Sequence, residues 1–170
     1  MSGSGSDNSA PAWTPRVFQS RLDPSWIDYN GHLRDAYYTL IASACIDALM
    51  DDIGIDAAYR RESHCTLYTL EMHVRYLREV KGDATLYSHQ YLVDCDTKRM
   101  RVLLAQRTAG SPDPAAVVDL MLLHVQQGAT VNSAPFPESI QARLAAWRSL
   151  RVPEALIALG SRPMLLGRKP

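Results

Sequence analysis

No stretch of this 170-residue chain approaches the roughly 18 apolar residues of a membrane span, and no charged-then-apolar leader opens it. Net charge is missing as well. Eighteen Lys and Arg offset eighteen Asp and Glu, so the chain lacks the basic excess that nucleic acid or an anionic membrane surface would require. Cysteine is scarce: Cys45, Cys65 and Cys95 are odd in number and widely spaced. They form neither a CxxC pair nor a secreted disulfide framework, which points to a reducing cytoplasm. His64, His89 and His124 have no ligand spacing with one another or with the cysteines, so no metal site is expected. No repeat with a period of twenty to fifty residues is present. What remains is 46% apolar and 21% charged residues, enough for one domain to bury a core without disulfides or a structural metal.

The chain divides into three parts. Residues 1–15 are mostly Ser, Gly, Asn, Ala and Pro, with a single Trp13, and are expected to form a disordered tail. Residues 16–132 carry the periodic patterns of a domain. Residues 133–170 read as a short helix entered through Pro135 and Pro137, then an irregular tail packed on the domain.

Within the domain, Val17 to Leu22 is a short strand candidate stopped by Asp23-Pro24. The pattern from Asp35 to Ile53 is helical. Tyr37, Leu40, Ile41, Ala44, Ala48 and Leu49 form one apolar face, and Asp35, Thr39, Ser43, Asp47 and Asp51 a polar stripe at spacing four. Gly54 sits where the helix end favours a left-handed residue. The period then becomes two. Tyr68 to Tyr76, Thr85 to Val93, Arg99 to Thr108 and Ala116 to Gln127 read as four strands joined by short turns, an antiparallel meander. A strand, an enclosed helix and four strands make an α+β arrangement, with the sheet curling around the helix.

The connection Trp26-Ile27-Asp28-Tyr29-Asn30-Gly31-His32 is dense in functional residue types. One reading is an Asp–Asn–Gly turn that caps the next helix. The other is a site, with a carboxylate, an amide, a glycine and an imidazole just before a helix N-terminus, where backbone N–H groups favour negative charge.

This segment resembles the active-site loop of hotdog-fold acyl-CoA thioesterases of the 4-hydroxybenzoyl-CoA thioesterase type, in which an aspartate stands three residues before a glycine, often followed by His and a long helix. A longer set extends the resemblance: Thr69-Leu70-Glu71-Met72-His73 running into Leu77-Arg78-Glu79-Val80, then Asp96-Thr97-Lys98-Arg99, then Met121-Leu122-Leu123-His124-Val125. Over about residues 17 to 130 the chain is similar to the thioesterases of bacterial L-carnitine catabolism, which stand alone or behind a carnitine dehydrogenase domain. The resemblance implies the hotdog fold, no cofactor, and hydrolysis of betainyl-CoA to glycine betaine and coenzyme A. Two positions depart from the pattern. Leu33-Arg34 stands where Met-Asn or Val-Asn is common, and Asp119 where Glu is frequent.

The resemblance assigns the catalytic carboxylate to Asp28, as nucleophile or as general base. The backbone N–H groups of Gly31 and His32 become oxyanion-hole candidates, and Asn30 a candidate to orient the carbonyl or water. The His32 side chain is read as a structural partner or a catalytic group. Trp26, Tyr29, Tyr37, Tyr38 and Tyr68 are aromatic candidates for a trimethylammonium group. Glu71 matches the family's Thr-x-Glu-x-His strand and is expected to serve from a partner subunit. Arg78, Lys98 and Arg99 are the expected contacts to the coenzyme A phosphates, among the basic residues near the central turns. An open sheet leaves edges to be paired, so a homodimer or homotetramer is expected. Within the same fold, hydrolysis of another short or aromatic acyl-CoA, dehydration, and non-catalytic acyl-CoA binding are the competing readings.

Overall fold

A computed structural model describes residues 13–160. The expectations for residues 1–12 and 161–170 lie outside the described residues. Trp13, read as part of the tail, meets Trp147 edge to face at 6.1 Å.

The period-two segments form β1 (Phe18–Arg21), β2 (Cys65–Tyr76), β3 (Thr85–Cys95), β4 (Arg99–Thr108), β5 (Ala116–Gln126) and the two-residue β6 (Asn132–Ser133). The period-four segment forms α1 (Asp35–Ile53), followed by α2 (Ala57–Ser63), α3 (Glu138–Arg148) and α4 (Glu154–Ile157). All pairings are antiparallel, in the order β1-β3-β4-β5-β2, with β6 continuing on β5. The sheet curls around α1 in the hotdog arrangement.

The expected four-strand meander is corrected here. Only β3, β4 and β5 are consecutive neighbours, whereas β2 pairs with β5 at the far edge. The reason lies in Leu77–Ala84, which is a crossing segment rather than a tight turn. Its backbone is occupied elsewhere: Leu33 N–H donates to Val80 O at 2.8 Å, and Gly82 N–H donates to Gly31 O at 3.2 Å. The segment thus crosses the start of α1 before β3 begins.

The buried face of α1 also differs from the expected one. Tyr38, Ile41, Ala42, Cys45, Ile46, Leu49 and Ile53 are buried, whereas Leu40 is 51% exposed and Ala44 is exposed. Apolar residues occupy so much of this helix that two phases of the 3.6 period fit it, and contact with the sheet selects one. Gly54 ends the helix at φ 96°, a conformation costly for other residues, and its N–H reaches the Met50 and Asp51 carbonyls.

Three apolar clusters result. α1 packs with Met100, Leu104, Leu120 and Leu122 of the sheet and with Phe136, Ile140, Leu144 and Trp147 at α3. On the opposite face of the sheet, Leu156 covers Leu103, Ala105 and Val117. A smaller cluster of Leu33, Tyr38, Ile41, Val80 and Leu86 fills the end of the sheet where β1 stops. This last cluster positions the loop before α1. Truncating a buried anchor such as Leu33 costs about 2–5 kcal/mol.

Candidate active site

Pro24–Trp26 forms one 3-10 turn, capped by the Asp23 carboxylate, and aims the chain across the end of the sheet. The next seven residues close on themselves. Ile27 and Leu33 form a β-bridge, and Asp28 N–H donates to His32 O at 2.8 Å. Gly31 permits the reversal with φ 80°. The Asp28 carboxylate is the hub: Asn30 N–H and His32 N–H both donate to its Oδ1, at 2.8 and 3.0 Å. Among the described residues no hydrogen bond reaches Oδ2. The His32 N–H foremost, with the Asn30 N–H and the charges of His32 and Arg34, holds the carboxyl below its ordinary value of 3.8 against an opposing desolvation effect. Asp28 is therefore a carboxylate near neutral pH.

A cleft of about 380 Å³ opens beside it, lined by Asp28, Asn30, His32, Asp35, Tyr38 and Tyr76, with Leu77, Arg78 and Glu79 along the crossing segment. Tyr38 is buried and Tyr76 is 51% exposed, and their rings meet edge to face at 5.3 Å. The Tyr76 hydroxyl donates to the Asp35 carbonyl at 3.1 Å. Burial pushes the Tyr38 hydroxyl up to about 12, so it stays protonated. The His32 ring reaches Glu79 at 3.3 Å, and Arg78 is held by Asp113.

The oxyanion donors expected at Gly31 and His32 are already occupied. Gly31 N–H donates to the Asp28 carbonyl at 3.0 Å, and His32 N–H to the Asp28 carboxylate. The Asp–Asn–Gly turn consumes both amides, so the turn reading and the carboxylate reading describe one structure. The Asp35 N–H at the first position of α1 has no acceptor among the described residues. Asp35 lines the cleft, so this amide is a candidate donor to developing negative charge.

The other candidates are spread more widely than their sequence order suggests. Trp26 and Tyr37 stack on each other at 5.2 Å, half-buried, and do not line the cleft. Tyr29 projects at the loop tip, 96% exposed. Tyr68 bonds Gln127 near the start of β2, eight residues and about 27 Å along the strand from Tyr76. Glu71 lies on the opposite face of the sheet beside His73, Arg101 and Asp119. Lys98 and Arg99 occupy the β3–β4 turn, separated from the Asp28 end by the eleven residues of β3, about 35 Å. Within one chain, Arg78 is the expected phosphate contact that shares the Asp28 cleft. Asp35, Tyr76 and Glu79 line the cleft without having been singled out for it. Their signal was weak, because each also fits a helix start, a strand or a crossing segment.

Among the described residues, no group of three His, Cys, Asp or Glu side chains is placed to hold a metal ion. No described helix is long and apolar enough to cross a membrane.

A thioesterase-like superfamily model matches residues 22–144. The chain belongs to the thioesterase-like superfamily. It is 41% identical over 144 residues to the betainyl-CoA thioesterase of Pseudomonas aeruginosa, covering 82% of this chain and 90% of that protein. It is 35% identical over 129 residues to the L-carnitine dehydrogenase/betainyl-CoA thioesterase of Rhizobium meliloti. That match covers 76% of this chain but spans only 26% of the relative. Among solved structures, a Staphylococcus aureus protein in complex with CoA superposes with a TM-score of 0.78 at 24% identity, covering 93% of this chain and 100% of that one. A Pseudomonas putida protein solved as a candidate thioesterase has a TM-score of 0.69 at 35% identity, with 93% and 97% covered. Residues 22–144 run from just after β1 into α3, so the match contains the Asp28 loop, the cleft and the whole of α1.

Proposed function

We propose that this chain hydrolyses a short cationic acyl-CoA thioester, betainyl-CoA, to glycine betaine and coenzyme A. The observation that carries the reading is the Asp28 carboxylate, charged, with Oδ2 unbonded among the described residues, in a cleft at the N-terminus of α1. Betainyl-CoA is the substrate named for the Pseudomonas aeruginosa relative, and its acyl group suits a cleft bordered by carboxylates.

With Oδ2 free of hydrogen bonds among the described residues, direct attack by that oxygen is the simplest route. Oδ2 of Asp28 adds to the thioester carbonyl carbon, and the carbonyl oxygen gains charge toward the Asp35 N–H. The C–S bond then breaks, and coenzyme A leaves as a thiolate that takes a proton from solvent. Water hydrolyses the resulting mixed anhydride, which releases the acid and restores Asp28. The positive nitrogen one carbon from the carbonyl makes this thioester electrophilic, so modest machinery suffices.

The working unit is a dimer in this reading. Among the described residues, β2 presents a twelve-residue outer edge with no partner strand, on which Tyr68 and Leu70 are exposed. Antiparallel pairing of two β2 edges would bring the far end of one sheet, with Tyr68 and the Lys98–Arg99 turn, toward the Asp28 end of the other. That arrangement would reunite the dispersed candidates, with Glu71 near the two-fold axis. Light scattering at micromolar concentration is expected to give a dimer that Leu70→Asp weakens. A wild-type monomer would remove the shared-site arrangement.

The reaction is tested by free-thiol release from betainyl-, acetyl-, butyryl-, benzoyl- and 4-hydroxybenzoyl-CoA, with Asp28→Asn alongside. Preference for the betainyl thioester, lost in the variant, is the expected result. Preference for a neutral or aromatic acyl group would overturn the substrate, and unaltered turnover in Asp28→Asn would overturn the role of Asp28.

A further inference from the structure

The cleft beside Asp28 has a charge pattern that hydrolysis alone does not explain. Attack on a thioester calls for one carboxylate and one oxyanion donor, yet Asp35 and Glu79 add two more carboxylates. The cationic side chains present are engaged: Arg78 pairs with Asp113, and the His32 ring pairs with Glu79 itself. Of the aromatic residues, Trp26 and Tyr37 cover each other, Tyr29 stands in solvent and Tyr68 is far along β2. Tyr76 is different. Tyr38 packs against it edge to face from the core, its hydroxyl is tethered to the Asp35 carbonyl, and half of its surface remains open at the cleft. A ring fixed on one side and open on the other presents its negative π-surface to a cation with little entropy to lose.

We propose that the quaternary ammonium of the acyl group seats between the open surface of the Tyr76 ring and the carboxylates of Asp35 and Glu79. These residues would then set the preference for a cationic over a neutral acyl group of the same shape. The inference rests on the acyl-CoA hydrolase reading above and names the side chains behind its charge selectivity. A quaternary ammonium donates no hydrogen bond, so an aromatic surface and nearby negative charge are what can distinguish it from its carbon isostere. Glu79 is well exposed, with a side chain at 79%, so its effect is a through-space one that salt weakens, whereas the Tyr76 contact is short-ranged and persists.

The test compares betainyl-CoA with 3,3-dimethylbutyryl-CoA, in which carbon replaces the charged nitrogen. The ratio of the two kcat/KM values is measured for wild type, Tyr76→Leu, Tyr76→Phe and Glu79→Gln, with a thermal melt for each. The ratio is expected to fall about tenfold in Tyr76→Leu, mainly through KM for betainyl-CoA, and to be kept in Tyr76→Phe, which retains the ring. Glu79→Gln, at an exposed position where folding is not at risk, is expected to lower it severalfold at low salt and less at high salt. Ratios unchanged in both Tyr76→Leu and Glu79→Gln, with betainyl-CoA still preferred, would overturn this assignment alone. A wild-type enzyme that hydrolyses the neutral isostere as well as betainyl-CoA would overturn the cationic-substrate reading beneath it.

Discussion

Asp28 and Asp96 build nearly the same turn at opposite ends of one sheet. Each carboxylate draws in two backbone N–H groups ahead of it in the chain: Asn30 and His32 for Asp28, Lys98 and Arg99 for Asp96. The difference lies three residues on. In Asp96-Thr97-Lys98-Arg99 the fourth residue is an arginine, whose guanidinium closes on the second carboxylate oxygen at 2.8 and 2.7 Å. In Asp28-Tyr29-Asn30-Gly31 it is a glycine, and Oδ2 is left without a hydrogen bond among the described residues. One turn spends its charge on itself. The other keeps an oxygen available over a cleft, so the same local fold is structural at one end and chemically open at the other.

The largest effect is expected from removing the open charge. Asp28→Asn preserves an oxygen for both amides but not the proposed nucleophile, and turnover should drop by about 10²–10⁴ with the thermal melt nearly unchanged. A drop smaller than tenfold in thiol release would place Asp28 with Asp96 as a turn former.

A third aspartate widens the comparison. Asp119 is buried and takes a bidentate pair from Arg101 at 3.0 and 2.6 Å across β4 and β5. Arg101→Met withdraws that cation from a buried carboxylate, and chemical denaturation should register a loss of about 3 kcal/mol. An unaltered denaturation midpoint would show that this pair contributes nothing net.

Asp96→Ala should have a smaller effect, about 1 kcal/mol in the same measurement, with thiol release within twofold of wild type. Its pH dependence has a definite sign. The Lys98 N–H and the Arg99 guanidinium lower the carboxyl from 3.8 to about 2. Its contribution is therefore complete above the unfolded value and is lost as pH falls from about 4 toward 2. The wild-type-minus-variant difference in stability should shrink over that window and stay constant above it.

Asp28, held below 3.8, makes the smallest but most diagnostic prediction. In the proposed mechanism the attacking form is the carboxylate, so kcat/KM is expected to stay level down to about pH 4 and to fall only below it. An acid limb centred well above 4 would mean that Asp28 is protonated more readily in solution than its two amide bonds allow.

The candidate site was legible where its residues are local in sequence. Asp28, Asn30, Gly31 and His32 fall within five residues, and the spacing that suggested a site is also the spacing that forms the turn. It was less legible where neighbours in space are distant in sequence. Tyr76 read as one more residue of an alternating strand and Glu79 as part of a connection. Lys98 and Arg99 looked like companions of Arg78 because both groups flank the sheet strands, yet β3 separates them by its full length. Gly31 and His32 share one turn with Asp28, but the amides expected to be free are not, because the turn that consumes them involves the carboxylate itself.

The amino-acid order alone determined the first strand, the four long strands, the break at Asp23-Pro24, the 19-residue helix ended by Gly54, and the carboxylate turn before it. Each follows from interactions within about four residues along the chain, where periodicity and turn chemistry act. Tertiary structure alone decided that β2 crosses to the far edge, which phase of α1 is buried, and that Asp35, Tyr76 and Glu79 meet beside Asp28. Strand order and helix phase are settled by which apolar faces can be covered together. That competition is among residues tens of positions apart, and it leaves no local mark in the sequence.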